Sequence, residues 1–521
     1  MSRGGGLFRS TAVFGAMTLL SRLAGFARDV IQARLFGAGS LVDAFTVAYQ
    51  VPNYLRRIFA EGSFASAFVP VLSELRQKGD AAALKSFVDH VAGALCAVLL
   101  VVTGLGMLAA PWIATLMAPG FAAEPGKLEL TTEMLRIVFP YIFFISMTAL
   151  AGGVLNSFQR FALPALTPVL HNLTLIAAML WLASRLDRPI MALAWGVLAA
   201  GALQMALLWP ALRRYGLFPR LRLDFRHPGV RRVFSLMLPT LFSSSVAQLN
   251  LIVGTIFASL LAEGSRAYLY YSDRLVELPL GLFGVALGTV ILPHLSRRHA
   301  DTDAAGFSAS LDWGLRTVLL GAVPAALGLL FLAEPLVATI YQRGEFSAEA
   351  ARMTAMSLSA MSLAIPAFML SKVLAPAFYS RQDTKTPMRA AIITVVLNIS
   401  LMTAIVTPLW RYGVYGAHAG IALATALAGI GNAFLLWRYL RRDGVWTAAP
   451  GWGRVLLRIA VAGVAMVAVL IALRIGPWDW RALHGTTRWL WLALVIAAGA
   501  GTYAVALLAF GWRPRELRHS D

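Results

Sequence analysis

The chain has 521 residues, of which 59% are hydrophobic and 13% charged, and it carries a net charge of +20. A soluble protein is nearer half apolar and a quarter charged, so this composition points instead to many apolar spans of about 20 residues. The excess of Arg and Lys falls mostly in short loops between apolar segments, which reads as membrane topology rather than nucleic-acid binding, and the single Cys96 excludes a disulfide framework or a thiolate metal cluster.

Fourteen apolar segments follow in chain order. The first six run over 10–36, 42–72, 86–114, 132–156, 163–183 and 190–211. Six more run over 232–261, 267–295, 307–333, 350–379, 388–409 and 414–437, and a last pair over 455–475 and 487–511. Most are too long for barrel strands, and a helix satisfies its own backbone inside lipid. The expected fold is therefore an all-α integral membrane protein. The first segment is not a convincing cleaved signal: Arg22, Arg28 and Asp29 interrupt it and no clear cleavage motif follows.

Basic residues concentrate in alternate loops. The stretch Leu212–Arg232 alone holds Arg213, Arg214, Arg220, Arg222, Arg226, Arg231 and Arg232. The positive-inside rule then places both termini in the cytoplasm.

An internal repeat appears at an offset of 223. Pro70, Leu72 and Ser73 match Pro293, Leu295 and Ser296; Asp89 matches Asp312; Ser157, Gln159 and Pro164 match Ser380, Gln382 and Pro387. The offset spans six segments, an even number, so the halves share orientation as a parallel repeat. The expected organisation is an N-lobe over 1–215, a basic interfacial linker over 216–231, a C-lobe over 232–440, and a helix pair with a cytoplasmic tail over 441–521. Two six-helix lobes around a site that rocking exposes alternately is a transporter plan.

Ionisable residues inside spans carry the functional signal. The first segment holds Arg22, Arg28, Asp29 and Arg34; the second holds Asp43, Asn53, Arg56, Arg57 and Glu61; the eighth holds Asp273, Arg274 and Glu277; the tenth holds Lys372. Each charge at a helix centre costs about 2.5–3.5 kcal/mol, so several arginines facing lipid are excluded. At about 100° per residue, Asn53, Arg56, Arg57 and Glu61 fall within an arc of roughly 140°. Arg34, Asp43 and Arg266 lie near segment ends and also suit interfacial anchoring. Asp273, Arg274 and Glu277 also suit an internal ion-pair set. For Arg22, Arg28, Arg56 and Arg57, three nearby acids neutralise only part of the charge, and surplus cation in a cavity implies an anionic ligand such as phosphate. Prolines at Pro279, Pro366 and Pro376 and glycines at Gly284 and Gly288 mark kinks or close packing. His171, His294 and His418 are dispersed, and neither a zinc-protease spacing nor a phosphate loop is present. No cofactor is expected, and the residues leave open a coupling ion or the membrane potential as the driving force.

The stretch SRLAGFARDVIQARLFGAG from Ser21, DAF at Asp43, PNYLRRIFAEGSFASAFVPVLSE from Pro52, YYSDRLVELPLGLFGVALGTVILPHLS from Tyr270 and KVLAPAFYSRQDTKTP from Lys372 together resemble the MurJ/MviN family of lipid II flippases, within the MATE-like exporter superfamily. The resemblance covers nearly the whole chain. It implies fourteen helices, a cationic cavity for the pyrophosphate headgroup, and a groove at the last two helices for the polyprenyl tail. By the resemblance, Arg22, Arg28, Asn53, Arg56, Arg57, Arg274 and Lys372 bind substrate, while Asp29, Asp43, Glu61, Asp273 and Glu277 pair the arginines in the empty state. The implied partners are lipid II, membrane lipids, and cell-wall synthesis or division proteins, in a bacterial inner membrane. The rival readings are a flippase for another polyprenyl-linked glycan, an ion-coupled drug exporter, an enzyme on lipid-linked sugars, and a scaffold for cell-wall enzymes.

Overall fold

In a computed structural model, the backbone is described over residues 3–56, 63–475 and 480–513; within these, the side chains of 3–14, 63, 239–247, 282–290 and 475 are not. Arg57 and Glu61, and the side-chain surroundings of Gly284 and Gly288, thus lie outside the described residues. The described secondary structure is helical. The chain divides into two compact units, Met1–Arg266 and Ala267–Asp521.

Unit 1 holds α1 (Arg3–Phe36), α2 (Ser40–Arg56), α3 (Ser63–Gln77), α4 (Ala81–Leu108), α5 (Ala110–Met117), α6 (Lys127–Val138), α7 (Tyr141–Ser157), α8 (Ala162–Ala177), α9 (Met191–Leu208) and α10 (Pro228–Ser259). Here α1 packs along α8, α8 and α7 pack on α9, α2 packs on α6, and α10 packs on α3 and α4. After a boundary within its first turn, α11 (Ser265–Ala300) leads into unit 2. There follow α12 (Ala304–Phe331), α13 (Ala333–Tyr341), α14 (Ala348–Ser362), α15 (Ile365–Tyr379), α16 (Lys385–Arg411), α17 (His418–Arg442), α18 (Trp452–Ile475) and α19 (Gly485–Ala509). The α18–α19 pair buries Met466, Leu470, Val495 and Tyr503 together with Leu332 at the end of α12.

Nine helical runs among the described residues are long and apolar enough to cross a membrane, or ten with the bent pair α14–α15. That pair bends by 43° at Leu363–Ala364, just ahead of Pro366. Proline supplies no N–H to the carbonyl four residues back, so the ladder is interrupted there. The same chemistry splits two expected continuous segments. Residues 86–114 divide at Ala109, ahead of Pro111, and residues 132–156 divide at Phe139–Pro140.

The two units repeat details that the identities alone did not show. Gln159 and Gln382, 223 positions apart, both adopt left-handed backbone, with φ of 61° and 60°. Each follows a helix closed in the same way: Arg160 N–H donates to Leu155 O at 3.0 Å, and Asp383 N–H donates to Phe378 O at 3.0 Å. Both glutamines are exposed. A side chain in this conformation costs roughly 1–2 kcal/mol, partly offset by the flexibility glycine adds to the unfolded chain. Gln159→Gly and Gln382→Gly should therefore each stabilise the fold by about 0.5–1 kcal/mol, read as a raised thermal midpoint, while valine at either position should lower it.

The matched aspartates also do matched work. Asp89 on α4 pairs with Lys85 and accepts the Arg220 N–H at 2.8 Å, while its carbonyl accepts the Arg222 N–H at 3.3 Å. A Cβ at Gly93 would collide with the Arg222 carbonyl, so glycine admits this close approach. The stretch from Leu217 to Arg226 thus runs as irregular chain on α4, exposing Leu221, Leu223 and Phe225. Asp312 on α12 accepts Trp446 and Trp452 Nε1–H at 3.2 and 2.6 Å and the Ala449 N–H at 3.3 Å. Each aspartate thus pins the segment that leaves its six-segment half.

Beside the first pin, His227 caps α10 by accepting the Gly229 N–H at 3.2 Å and stacks on His90 with ring centres 4.4 Å apart. Partial burial, then the neighbouring His90, push the His227 pKa below its ordinary value, with Asp224 opposing. Its folded value lies below the unfolded one near ~6.5, so this contribution to stability is complete above that pH and lost as the pH falls below it. The thermal midpoint should decline from about pH 6.5 downward, and His90→Gln should flatten the decline.

Candidate functional site

In unit 1 the buried charges of α1 meet α8. Arg28 Nη1 donates to Asn172 Oδ1 at 3.0 Å, and Arg28 Nη2 and Nε donate to Asp29 Oδ1 at 2.7 and 3.1 Å. Asn172 Nδ2 in turn donates to the Ser21 carbonyl at 3.1 Å, so one amide joins the Arg28 guanidinium and the α1 backbone. The Arg28 and Asp29 side chains are 12% and 4% exposed, which fixes the guanidinium away from bulk water. A Cβ at Gly25 would sit 3.4 Å from Asn172 Nδ2, an ordinary contact, so packing here does not demand glycine.

On α2, Arg56 Nε donates to Asn53 Oδ1 at 3.0 Å, one helical turn back. Tyr49 stacks on buried His171 with ring centres 6.3 Å apart, and Tyr141 lies against the same imidazole at 5.6 Å. Polar side chains of α1 and α8 thus meet inside unit 1, and α2 adds Tyr49 against the His171 imidazole and Arg56 one turn beyond Asn53. Asp29 is the carboxylate paired with Arg28 in this cluster. A guanidinium held away from water and already oriented by an amide suits an anion that accepts several hydrogen bonds, as phosphate does.

Asp43 lies in a second buried group. Its Oδ2 is 2.9 Å from Lys127 Nζ and accepts the Gly264 N–H at 2.9 Å. Lys127 also pairs with Glu124 at 2.8 Å and sits 4.1 Å from the Phe121 ring centre. The Asp43 and Lys127 side chains are 2% and 3% exposed. This group joins the starts of α2 and α6 to the turn that follows α10.

The remaining candidates are dispersed. Arg22 and Arg34 are exposed on α1. In unit 2, Asp273 is half-buried on α11, and Arg274 Nη1 donates to exposed Glu277 at 2.8 Å while stacking over Tyr270 at 5.0 Å. Lys372 is exposed on α15. Asn172, His171 and Lys127 were not among the residues singled out from the sequence for binding. The adjacent polar pair His171–Asn172 inside an otherwise apolar segment was the signal available for the first two.

The chain matches the family model described as lipid II flippase MurJ over residues 32–483. A Burkholderia cenocepacia protein named lipid II flippase MurJ is 41% identical over 482 residues, 92% of each chain. A solved structure titled lipid II flippase MurJ, inward closed conformation, matches with a TM-score of 0.79 at 27% identity, covering 96% of this chain and 98% of the other. A MATE-family multidrug transporter of the MOP superfamily in an inward-facing conformation matches with a TM-score of 0.66 at 13% identity, covering 83% and 98%, a likeness of fold alone.

Proposed function

Because the chain belongs to the MurJ family of lipid II flippases, we propose that it carries lipid II across the bacterial inner membrane by alternating access, with the pyrophosphate held by Arg28 and Arg56. It is a multi-pass membrane transporter rather than an enzyme. The observation that supports the site is the buried Arg28 guanidinium oriented by Asn172 and Asp29, with Arg56 held by Asn53 on α2.

In the substrate-free protein Asp29 holds Arg28. An incoming pyrophosphate offers the same guanidinium more acceptor oxygens and a larger charge. Exchange of partners gives substrate a differential affinity for the two access states, which is what biases such an equilibrium. Arg22, Arg57, Arg274 and Lys372 remain proposed substrate contacts, and Asp43, Glu61, Asp273 and Glu277 proposed gating acids. Lipid II enters from the cytoplasmic leaflet, both termini face the cytoplasm, and the α18–α19 pair receives the polyprenyl tail. A membrane potential acting on moving charge supplies about 2.3 kcal/mol per charge per 100 mV. Cell-wall synthesis or division proteins are the proposed neighbours in the membrane.

The test is rescue of a bacterium depleted of its own flippase, with lipid II exposed at the outer leaflet as the readout. This chain should restore both growth and exposure. Growth without restored exposure would overturn the reading.

A further inference from the structure

Unit 2 contains an apolar cavity of about 470 Å³ that the transport reading does not use. Its walls come from Leu315 on α12, Leu370 on α15, Phe434 and Trp437 on α17, and Trp446 and Trp452 where the chain enters α18. The size lies within the range of small-molecule sites. The four aromatic side chains form a continuous wall: Phe434 to Trp437, Trp437 to Trp446 and Trp446 to Trp452 have ring centres 5.7, 6.2 and 6.1 Å apart.

This wall is built. Trp446 and Trp452 both send their indole N–H to Asp312, which is 4% exposed, so their polar atoms are satisfied and their apolar faces line the cavity. Asp312 is held by an ion pair to Arg316 at 2.7 Å, and Arg316 donates to the Ala449 and Pro450 carbonyls at 2.9 and 3.1 Å. Two guanidiniums also lie on wall residues: Arg316 over Trp452 at 5.2 Å and Arg441 over Trp437 at 5.4 Å. Arg441 and Arg442 are exposed in the last turn of α17, beside Asp443, Arg438 is exposed one turn earlier, and Arg454 is exposed in the first turn of α18. An apolar cavity next to a cationic helix end is complementary to an amphiphile with a negative head.

We propose that this cavity is a specific site for one anionic glycerophospholipid of the surrounding membrane, with part of an acyl chain between α12, α15 and α17 and the phosphate on Arg441 and Arg442. Asp312 is the positioning residue that holds the two indoles against the cavity. Indoles at the membrane interface and a neighbouring basic cluster are the usual setting for such a lipid.

The test uses the full chain in nanodiscs of equal phosphatidylglycerol and phosphatidylethanolamine, followed by native mass spectrometry of retained lipid. Wild type should keep one phosphatidylglycerol in preference to phosphatidylethanolamine. Leu370→Trp on α15 and Leu319→Trp, at a second lining position on α12, fill the cavity from different helices and should each lose it. Arg441→Gln with Arg442→Gln should reduce the anionic preference at least about fivefold. Undiminished retention in a folded filling variant, or equal retention of the two lipids by wild type, would overturn the proposal. So would stoichiometric displacement by lipid II in an Arg28→Ala/Arg56→Ala background, because the tail would then be the occupant. That background disables the proposed headgroup clamp, so the lipid site and the clamp fail separately.

Discussion

Arg28→Ala and Arg56→Ala should each abolish rescue of a flippase-depleted cell while the protein still inserts, folds and accumulates. Each substitution removes charge-assisted hydrogen bonds to phosphate, worth about 1.5–3 kcal/mol apiece, or roughly 10- to 150-fold in lipid II affinity. Arg28→Ala also leaves Asp29 buried without the guanidinium that holds it at 2.7 Å, so its fold should loosen. Arg56→Ala removes the hydrogen bond to Asn53 within its own helix, so its thermal midpoint should be measured alongside rescue, and rescue should fail at temperatures where the variant is folded. Arg28→Lys preserves charge but loses the planar fork that reaches Asp29 and Asn172 together, and it should rescue poorly. Normal rescue by both alanine variants would end the phosphate-clamp account.

The second large effect is on stability. Lys127→Met should cost about 3–5 kcal/mol, because it removes the ammonium that pairs with the buried Asp43 carboxylate. Asp43→Leu should cost less, since Lys127 keeps Glu124 and the Phe121 ring. The double variant should recover much of the loss, because apolar replacement of a whole buried pair is often near neutral. Strict additivity of the two losses in thermal midpoints would show that the residues act independently.

How much of this was legible in the sequence varied with the chemistry of each residue. Arg28, Asp29 and Arg56 announce themselves because a charge in an apolar run costs too much to be incidental. Asn172 joins Arg28 to the α1 backbone but carries no charge, so only its place beside His171 in an apolar segment marks it. Lys127 precedes its apolar segment and reads as a loop cation, although it is 3% exposed. The identities at offset 223 indicated a repeat. What they meant emerged only in three dimensions, where Gln159 and Gln382 share a backbone conformation and Asp89 and Asp312 each pin an exiting segment. The segments at 86–114 and 350–379 were visible as apolar runs, but their breaks depend on local proline geometry that hydropathy does not register.

The most direct test of the central claim is native mass spectrometry of the purified chain with lipid II, a polyprenyl phosphate and a cationic drug in competition. Preferential retention of lipid II, lost in an Arg28→Ala/Arg56→Ala double variant, is the expected result. Equal retention of both polyprenyl lipids, unchanged in that variant, would contradict it and make the tail rather than the headgroup the determinant of binding.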